Sequence, residues 1–218
     1  MITLDIETTG LDPTTDYVVA IGILDDFGIQ ILSSPVTGYQ ADLNAAEHGI
    51  LKQFADYLVH LVPDGDFFLT YNGVEFDMPF LFSRMGIHGF TGESKILFEL
   101  KDIDLIHYAK YVTGRRLGKN DACSKLGNLY VPRKSEGLWS ARIYKNPKLL
   151  TENDHLEMLQ HNATDLSSTA RLYNVVKGFP DFTEWRMNEF SNEVCLDGNK
   201  QDNKKERRQV QHHRGERG

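Results

Sequence analysis

The chain has 218 residues, a mass of 24.9 kDa and a formal net charge of −7, with 40% hydrophobic and 11% aromatic residues. That suits one domain with a sizeable core. No run approaches the ~20 apolar residues of a helical bilayer span, which excludes that class of membrane protein. No charged-then-apolar leader precedes the first strand, and the two cysteines, Cys123 and Cys195, lack metal-ligand spacing, so a reduced, cytoplasmic protein is expected.

The charge is unevenly spread. Residues 1–100 carry 3 basic and 15 acidic side chains, a balance of −12. Residues 101–148 carry 11 basic and 4 acidic, a balance of +7. The balance is −6 over residues 149–198 and +4 over the tail 199–218. An acidic body with one basic segment fits a metal site beside a phosphate-binding surface, and it fits ordinary solvated helix faces as well.

In chain order, the first element is Ile2-Thr3-Leu4-Asp5-Ile6-Glu7-Thr8, where apolar and polar residues alternate. Period two predicts a strand with one apolar and one acidic face, and the carboxylates of Asp5 and Glu7 then stand roughly 7 Å apart. Like charges that close repel unless a cation lies between them or one takes a proton. Tyr17 to Leu24 and Ile29 to Leu32 read as second and third strands around an Asp25-Asp26-Phe27-Gly28 turn, an antiparallel meander. Leu43 to Val62 has apolar residues at helical spacing, closed by Pro63-Asp64-Gly65. Phe67 to Tyr71 reads as a buried strand, so the sheet is mixed and the fold class is α/β.

Asn72-Gly73 then marks a turn, and Pro79 fits the first turn of a helix. Asp77 lies at that junction, either as an N-cap or as a third carboxylate at the C-terminal edge of a strand. Residues 102–148 read as helical and basic with breaks: Asp104 to Tyr111, Ala122 to Leu129 and Leu138 to Lys145. Arg115, Arg116, Lys119 and Lys125 are among its cations, interleaved with Tyr130, Trp139 and Tyr144. Cations hold phosphates and rings stack on unpaired bases, although any one of these aromatics is more simply a core residue. A long helix is expected from Glu152 to Lys177, with an apolar stripe of Leu156, Leu159, Ala163, Leu166, Ala170 and Tyr173. His161 and Asp165, four apart, share a face beside it. Phe179-Pro180-Asp181-Phe182 stops the helix, and a short one follows over 183–196. The expected domain is residues 1–196, with 197–218 a disordered basic tail.

Four acids thus recur in compatible contexts: Asp5, Glu7, Asp77 and Asp165. On them the chain resembles the DEDD superfamily of 3′–5′ exonucleases, whose fold is ribonuclease-H-like. Asp5-Ile6-Glu7-Thr8-Thr9-Gly10-Leu11 matches the first motif, Asn72 to Leu81 the second and His161-Asn162-Ala163-Thr164-Asp165 the third. One branch of the superfamily has Tyr four residues before the last Asp, and the other has His five before it. Here Gln160 is five back and His161 four back, about 140° and about 40° around the helix from Asp165. The arrangement is also similar to the exonuclease domain of family B DNA polymerases and its relatives.

The resemblance implies a mixed five-stranded sheet flanked by helices, with the basic helical segment between the second and third motifs. It implies two Mg²⁺ or Mn²⁺ ions held by Asp5, Glu7, Asp77 and Asp165, with His161 as the base. It places the backbone of Thr8, Thr9, Gly10 and Leu11 on the 3′-terminal nucleotide and Asn72 and Phe76 near the strand. Arg115 and Arg116 would guide the strand inward. The implied substrate is single-stranded DNA or RNA with a free 3′ end. A non-catalytic binding module, a ribonuclease and a ribonuclease H-type endonuclease are the competing readings. DNA against RNA, and any polymerase or repair partner, stay open in the sequence.

Overall fold

A computed structural model describes residues 1–61, 67–131 and 144–187. Two compact units divide at Val175/Val176. In the first, five strands among the described residues form one mixed sheet: β1 (Ile2–Thr8), β2 (Val18–Asp25), β3 (Gly28–Ser33), β4 (Phe67–Thr70) and β5 (Lys101–Asp104). The order is β3-β2-β1-β4-β5, with β1–β2 and β2–β3 antiparallel and β1–β4 and β4–β5 parallel. The helices are α1 (Val36–Ala41), α2 (Leu43–Leu61), α3 (Asp77–Ile87), α4 (Ile96–Glu99), α5 (Leu105–Thr113), α6 (Lys119–Gly127) and α7 (Glu152–Val176). The expected α/β class, the meander and the mixed five-stranded sheet are all present.

Period two assigns the faces of β1. Ile2, Leu4 and Ile6 are buried in the core cluster with Ile50, Leu51, Phe54 and Leu58 of α2 and Met78, Leu81 and Met85 of α3. Thr3, Asp5 and Glu7 turn to the opposite face, where α7 lies: Asp5 pairs with Gly22 of β2, and a Cβ there would overlap Asn162 and Leu166 of α7. Phe67 of β4 meets Tyr173 of α7, ring centroids 6.0 Å apart.

Some elements depart from the sequence reading. Residues 101–104 form a strand, not the start of a helix. Lys101-Asp102-Ile103-Asp104 has one apolar residue in four positions, too few for periodicity to register. Asp104 ends that strand and caps α5, accepting from Ile106 N at 3.1 Å. Leu156 is 52% exposed, whereas Leu166 and Ala170 of the expected stripe are buried, joined by Met158, Asn162, Thr169 and Leu172. The third motif's asparagine therefore belongs to the buried face. Tyr144 is core: its ring packs edge-on to Tyr39 at 5.3 Å, and its hydroxyl lies 3.2 Å from His155 Nδ1. In the second unit the helix starts at 180, with Pro at its first turn, and buries Phe182 and Trp185. The Pro63-Asp64-Gly65 stop, Trp139 and the tail 197–218 lie outside the described residues.

A buried ionic cluster ties α2, α3 and the β1–β2 loop together. Glu47 of α2, wholly buried, accepts from Val18 N at 2.7 Å and from Arg84 Nε at 2.9 Å and Nη2 at 2.5 Å. His88 Nε2 lies 2.7 Å away. Arg84 also donates to Pro13 O at 3.2 Å and lies 4.9 Å over the Tyr17 ring. Removing one partner of such a pair strands the other charge in low dielectric. Glu47→Ala should therefore lower stability by about 3–5 kcal/mol, read as a fall in urea midpoint, whereas Glu47→Gln, which keeps an acceptor for Val18 N–H, should lose less.

Candidate functional site

The site is built at the C-terminal end of β1. Asp5 and Glu7 arrive there by strand alternation. β4 pairs with β1 only at Ile2 and Thr3, so β1 runs on with a free edge. Asp77 fills that gap, its Oδ1 accepting from Ile6 N at 3.0 Å. It is the first residue of α3, and Phe76 holds the cap position, so the carboxylate is committed to β1 rather than to capping. The turn leading into α3 is fixed by Asp104, which accepts from Asn72 N at 2.7 Å and Val74 N at 3.1 Å. Asn72 is left-handed, φ 74°, a conformation that asparagine tolerates better than most residues.

Asp5 is held from two helices. Asn162 of α7, fully buried, donates through Nδ2 to Asp5 O at 3.2 Å and Asp5 Oδ2 at 2.9 Å. Both contacts are acceptors, so the amide nitrogen must face Asp5. Lys119, the first residue of α6, brings Nζ to 3.2 Å from Asp5 Oδ1 and 2.6 Å from Asp165 Oδ2. His161 Nε2 lies 4.0 Å from Glu7 Oε1 and 3.9 Å from Asp165 Oδ2. Lys119 thus joins Asp5 to Asp165, His161 lies within 4.0 Å of Glu7 and Asp165, and Asp77 is bound to β1 one residue from Asp5. Among the described residues, no three of His, Cys, Asp and Glu stand close enough to hold one ion, and an ammonium stands between two of the acids.

The electrostatics are those of an overcharged pocket. Burial, and then the charge of Asp5, push the Asp77 carboxyl from 3.8 up to about 8, against the pull of the Ile6 N–H and Lys119. The donors are hard oxygens, the set that suits Mg²⁺ or Mn²⁺.

The remaining expected residues divide. Thr9 is buried, and its hydroxyl is engaged by Tyr17 N at 2.9 Å and Asp16 Oδ1 at 3.4 Å. Thr8 Oγ1 donates to Gly10 O at 2.6 Å. A Cβ on Gly10 would overlap the Asp16 carboxylate, so this bend needs glycine. Leu11 is 82% exposed. Phe76 is half-buried against Phe80. Arg116 is bound by Glu75, at 2.7 Å, and by the Asn72 side chain, while Arg115 is exposed at the start of the same connection. Lys145, another cation of the basic segment, pairs with Asp16 at 2.9 Å.

Sequence reasoning missed two residues of this site. Lys119 is one lysine of a basic run, and nothing local separates it from its neighbours. Asn162 was legible: it lies three before Asp165, on the same helix face.

The RNase_H_2 family model of the RNase_H superfamily matches residues 2–177. No curated protein sequence matches the chain. Among solved structures, a family B DNA polymerase from the hyperthermophilic archaeon Pyrobaculum calidifontis is similar, with a TM-score of 0.59 at 16% identity. The match covers 80% of this chain and 24% of the polymerase, so the chain spans about a quarter of that protein.

Two outcomes follow for stability. Between pH values near 3.8 and about 8, the folded chain keeps a proton on Asp77 that the unfolded chain gives up, so this group's contribution is lost as pH rises through that window. Asp77→Asn keeps the acceptor for Ile6 N–H and removes the titration. In chelator, its melting temperature should exceed wild type near pH 8 and converge with it near pH 4; parallel profiles would show the carboxyl to be unperturbed. Gly22→Ala should cost about 1–3 kcal/mol in denaturant melts, because the new methyl displaces the Asn162 amide from Asp5.

Proposed function

The chain belongs to the RNase_H superfamily, and from that premise we propose that it is a metal-dependent 3′–5′ exonuclease of DEDD type acting on single-stranded nucleic acid. The observation that carries this reading is the convergence of Asp5, Glu7, Asp77 and Asp165 on one pocket with His161. A ribonuclease-H-like fold with a polymerase among its structural neighbours is compatible with it.

In this reading the carboxylates of Asp5, Glu7, Asp77 and Asp165 would together hold the ions. Two Mg²⁺ or Mn²⁺ ions, when bound, supply Lewis acidity at the scissile phosphate and its leaving 3′ oxygen. Burial first, and the charge of Asp5 second, raise the Asp77 carboxyl, and a cation beside it would favour its ionised form.

The chain's residues do the positioning and the proton handling. His161 Nε2 takes the proton of the attacking water, and the carboxylates of Glu7 and Asp165, 4.0 and 3.9 Å from that nitrogen, stabilise the imidazolium that results. Asn162 fixes the Asp5 carboxylate so that its orientation does not change as charge arrives. The Thr8–Leu11 bend offers backbone to the terminal nucleotide, and the Leu11 side chain offers an apolar surface to its base. Asn72 and Phe76 flank the strand. Arg115 and the N–H groups of Arg116 not engaged by Glu75 and Asn72 face its phosphates.

The test is incubation with 5′-labelled single-stranded DNA and RNA, with Mg²⁺, Mn²⁺ or chelator. Stepwise loss of 3′ mononucleotides that stops in chelator and in Asp5→Ala is expected, and the preferred strand identifies the substrate. Internal fragments would indicate an endonuclease, and retention without cleavage a binding module. His161→Ala should lower kcat by roughly 10²–10⁴-fold with the metal affinity kept. Arg115→Ala and Arg116→Ala should each reduce the slope of log K against log salt by about 0.7 on a single strand.

A further inference from the structure

We propose that Lys119 is the pocket's resident cation: its ammonium holds the place between Asp5 and Asp165, and a divalent ion loads there only by displacing it. This rests on the metal-dependent reading above.

The contacts are close and sheltered. Lys119 Nζ is 2.6 Å from Asp165 Oδ2 and 3.2 Å from Asp5 Oδ1, with the three side chains only 15%, 12% and 20% exposed. At such separations and burial an ion pair is screened little by salt. The ammonium thus occupies the space that an ion shared by Asp5 and Asp165 would need.

The position of the lysine on its helix supports exchange. Lys119 opens α6, where the helix dipole and the unpaired N–H groups disfavour a cation. Its neighbour Gly118 holds the cap position without a side-chain cap bond. The acids alone therefore draw the ammonium in, and four rotatable side-chain bonds let it leave with the backbone in place. A divalent ion brings twice the charge to the same oxygens. Because ion and ammonium exclude each other, the ammonium must weaken ion binding by the factor by which the ion weakens its pairing.

Mn²⁺ binding to the full chain without nucleic acid, followed by calorimetry and by loss of the free-ion paramagnetic signal, tests this. Lys119→Gln should bind at least about tenfold more tightly than wild type. Lys119→Arg, which keeps the charge, should track wild type. In chelator Lys119→Gln should melt below wild type, and its melting temperature should rise further on adding Mn²⁺. Lys119→Met, which keeps the apolar stem, replaces the Gln variant if that one does not fold. Equal or weaker Mn²⁺ affinity in the neutral variants overturns the role of Lys119 and leaves the carboxylate site standing. No saturable Mn²⁺ uptake by wild type or variant overturns both.

Discussion

Repulsion between carboxylates is the constraint around which this fold is arranged. Unit charges about 4 Å apart interact by about 4 kcal/mol at an effective dielectric near 20. Asp77 is 7% exposed, and burial, with the charge of Asp5 added to it, holds its proton toward neutral pH. Each donor that contains this repulsion comes from a different element: the Ile6 N–H from β1, the Asn162 amide from α7 and the Lys119 ammonium from α6. The acids are therefore the points at which the sheet is tied to its helices. A pocket that is costly to assemble is also the one that joins the parts.

The short β4 makes this possible. Were β4 to follow β1 along its whole length, the Ile6 N–H would be taken by a neighbouring carbonyl and Asp77 would have no anchor. Because pairing stops at Thr3, the chain leaves β4, turns through the left-handed Asn72 and returns a carboxylate to the open edge. Asp104 at the end of β5 fixes that return by accepting from the turn's amides. On the other side of β1, the Gly10–Tyr17 loop is pinned by Asp16 and, through Arg84, by the buried Glu47. The bend that carries Leu11 is thus fixed at its base while its apolar tip stays in solvent.

What the sequence discloses follows from the range of the interactions. β1, β2, α2 and α7 are written in local periodicity, and the acids are legible because they fall where strand and helix geometry bring them to one edge. β5 is too short and too charged for periodicity. The Glu47–Arg84–His88 cluster pairs residues 37 and 41 positions apart, with no local sign that any is buried. Lys119 lies 114 residues from Asp5, and its burial is decided by α6 docking, not by its neighbours in sequence. Asn162 is the intermediate case: its helix face follows from spacing, but its role needs Gly22 opposite, since only a residue without Cβ admits the amide.

The charge distribution then bears on how a polyanion could approach such a pocket in the proposed reading. Residues 1–100 carry a balance of −12, and a phosphate entering among these acids would be repelled. The +7 segment offsets this in part, and three of its cations already have acidic or polar partners: Lys119 with Asp5 and Asp165, Lys145 with Asp16, Arg116 with Glu75 and Asn72. Attraction must come from charge added to the site or released from these pairings. Divalent ions do both at once, since they neutralise the acids and, by displacing the ammonium, turn a cation from an internal partner into one available to a phosphate. Metal loading and strand binding are then favourable in that order, and an unloaded pocket rejects the strand by the same repulsion that its own donors hold in check.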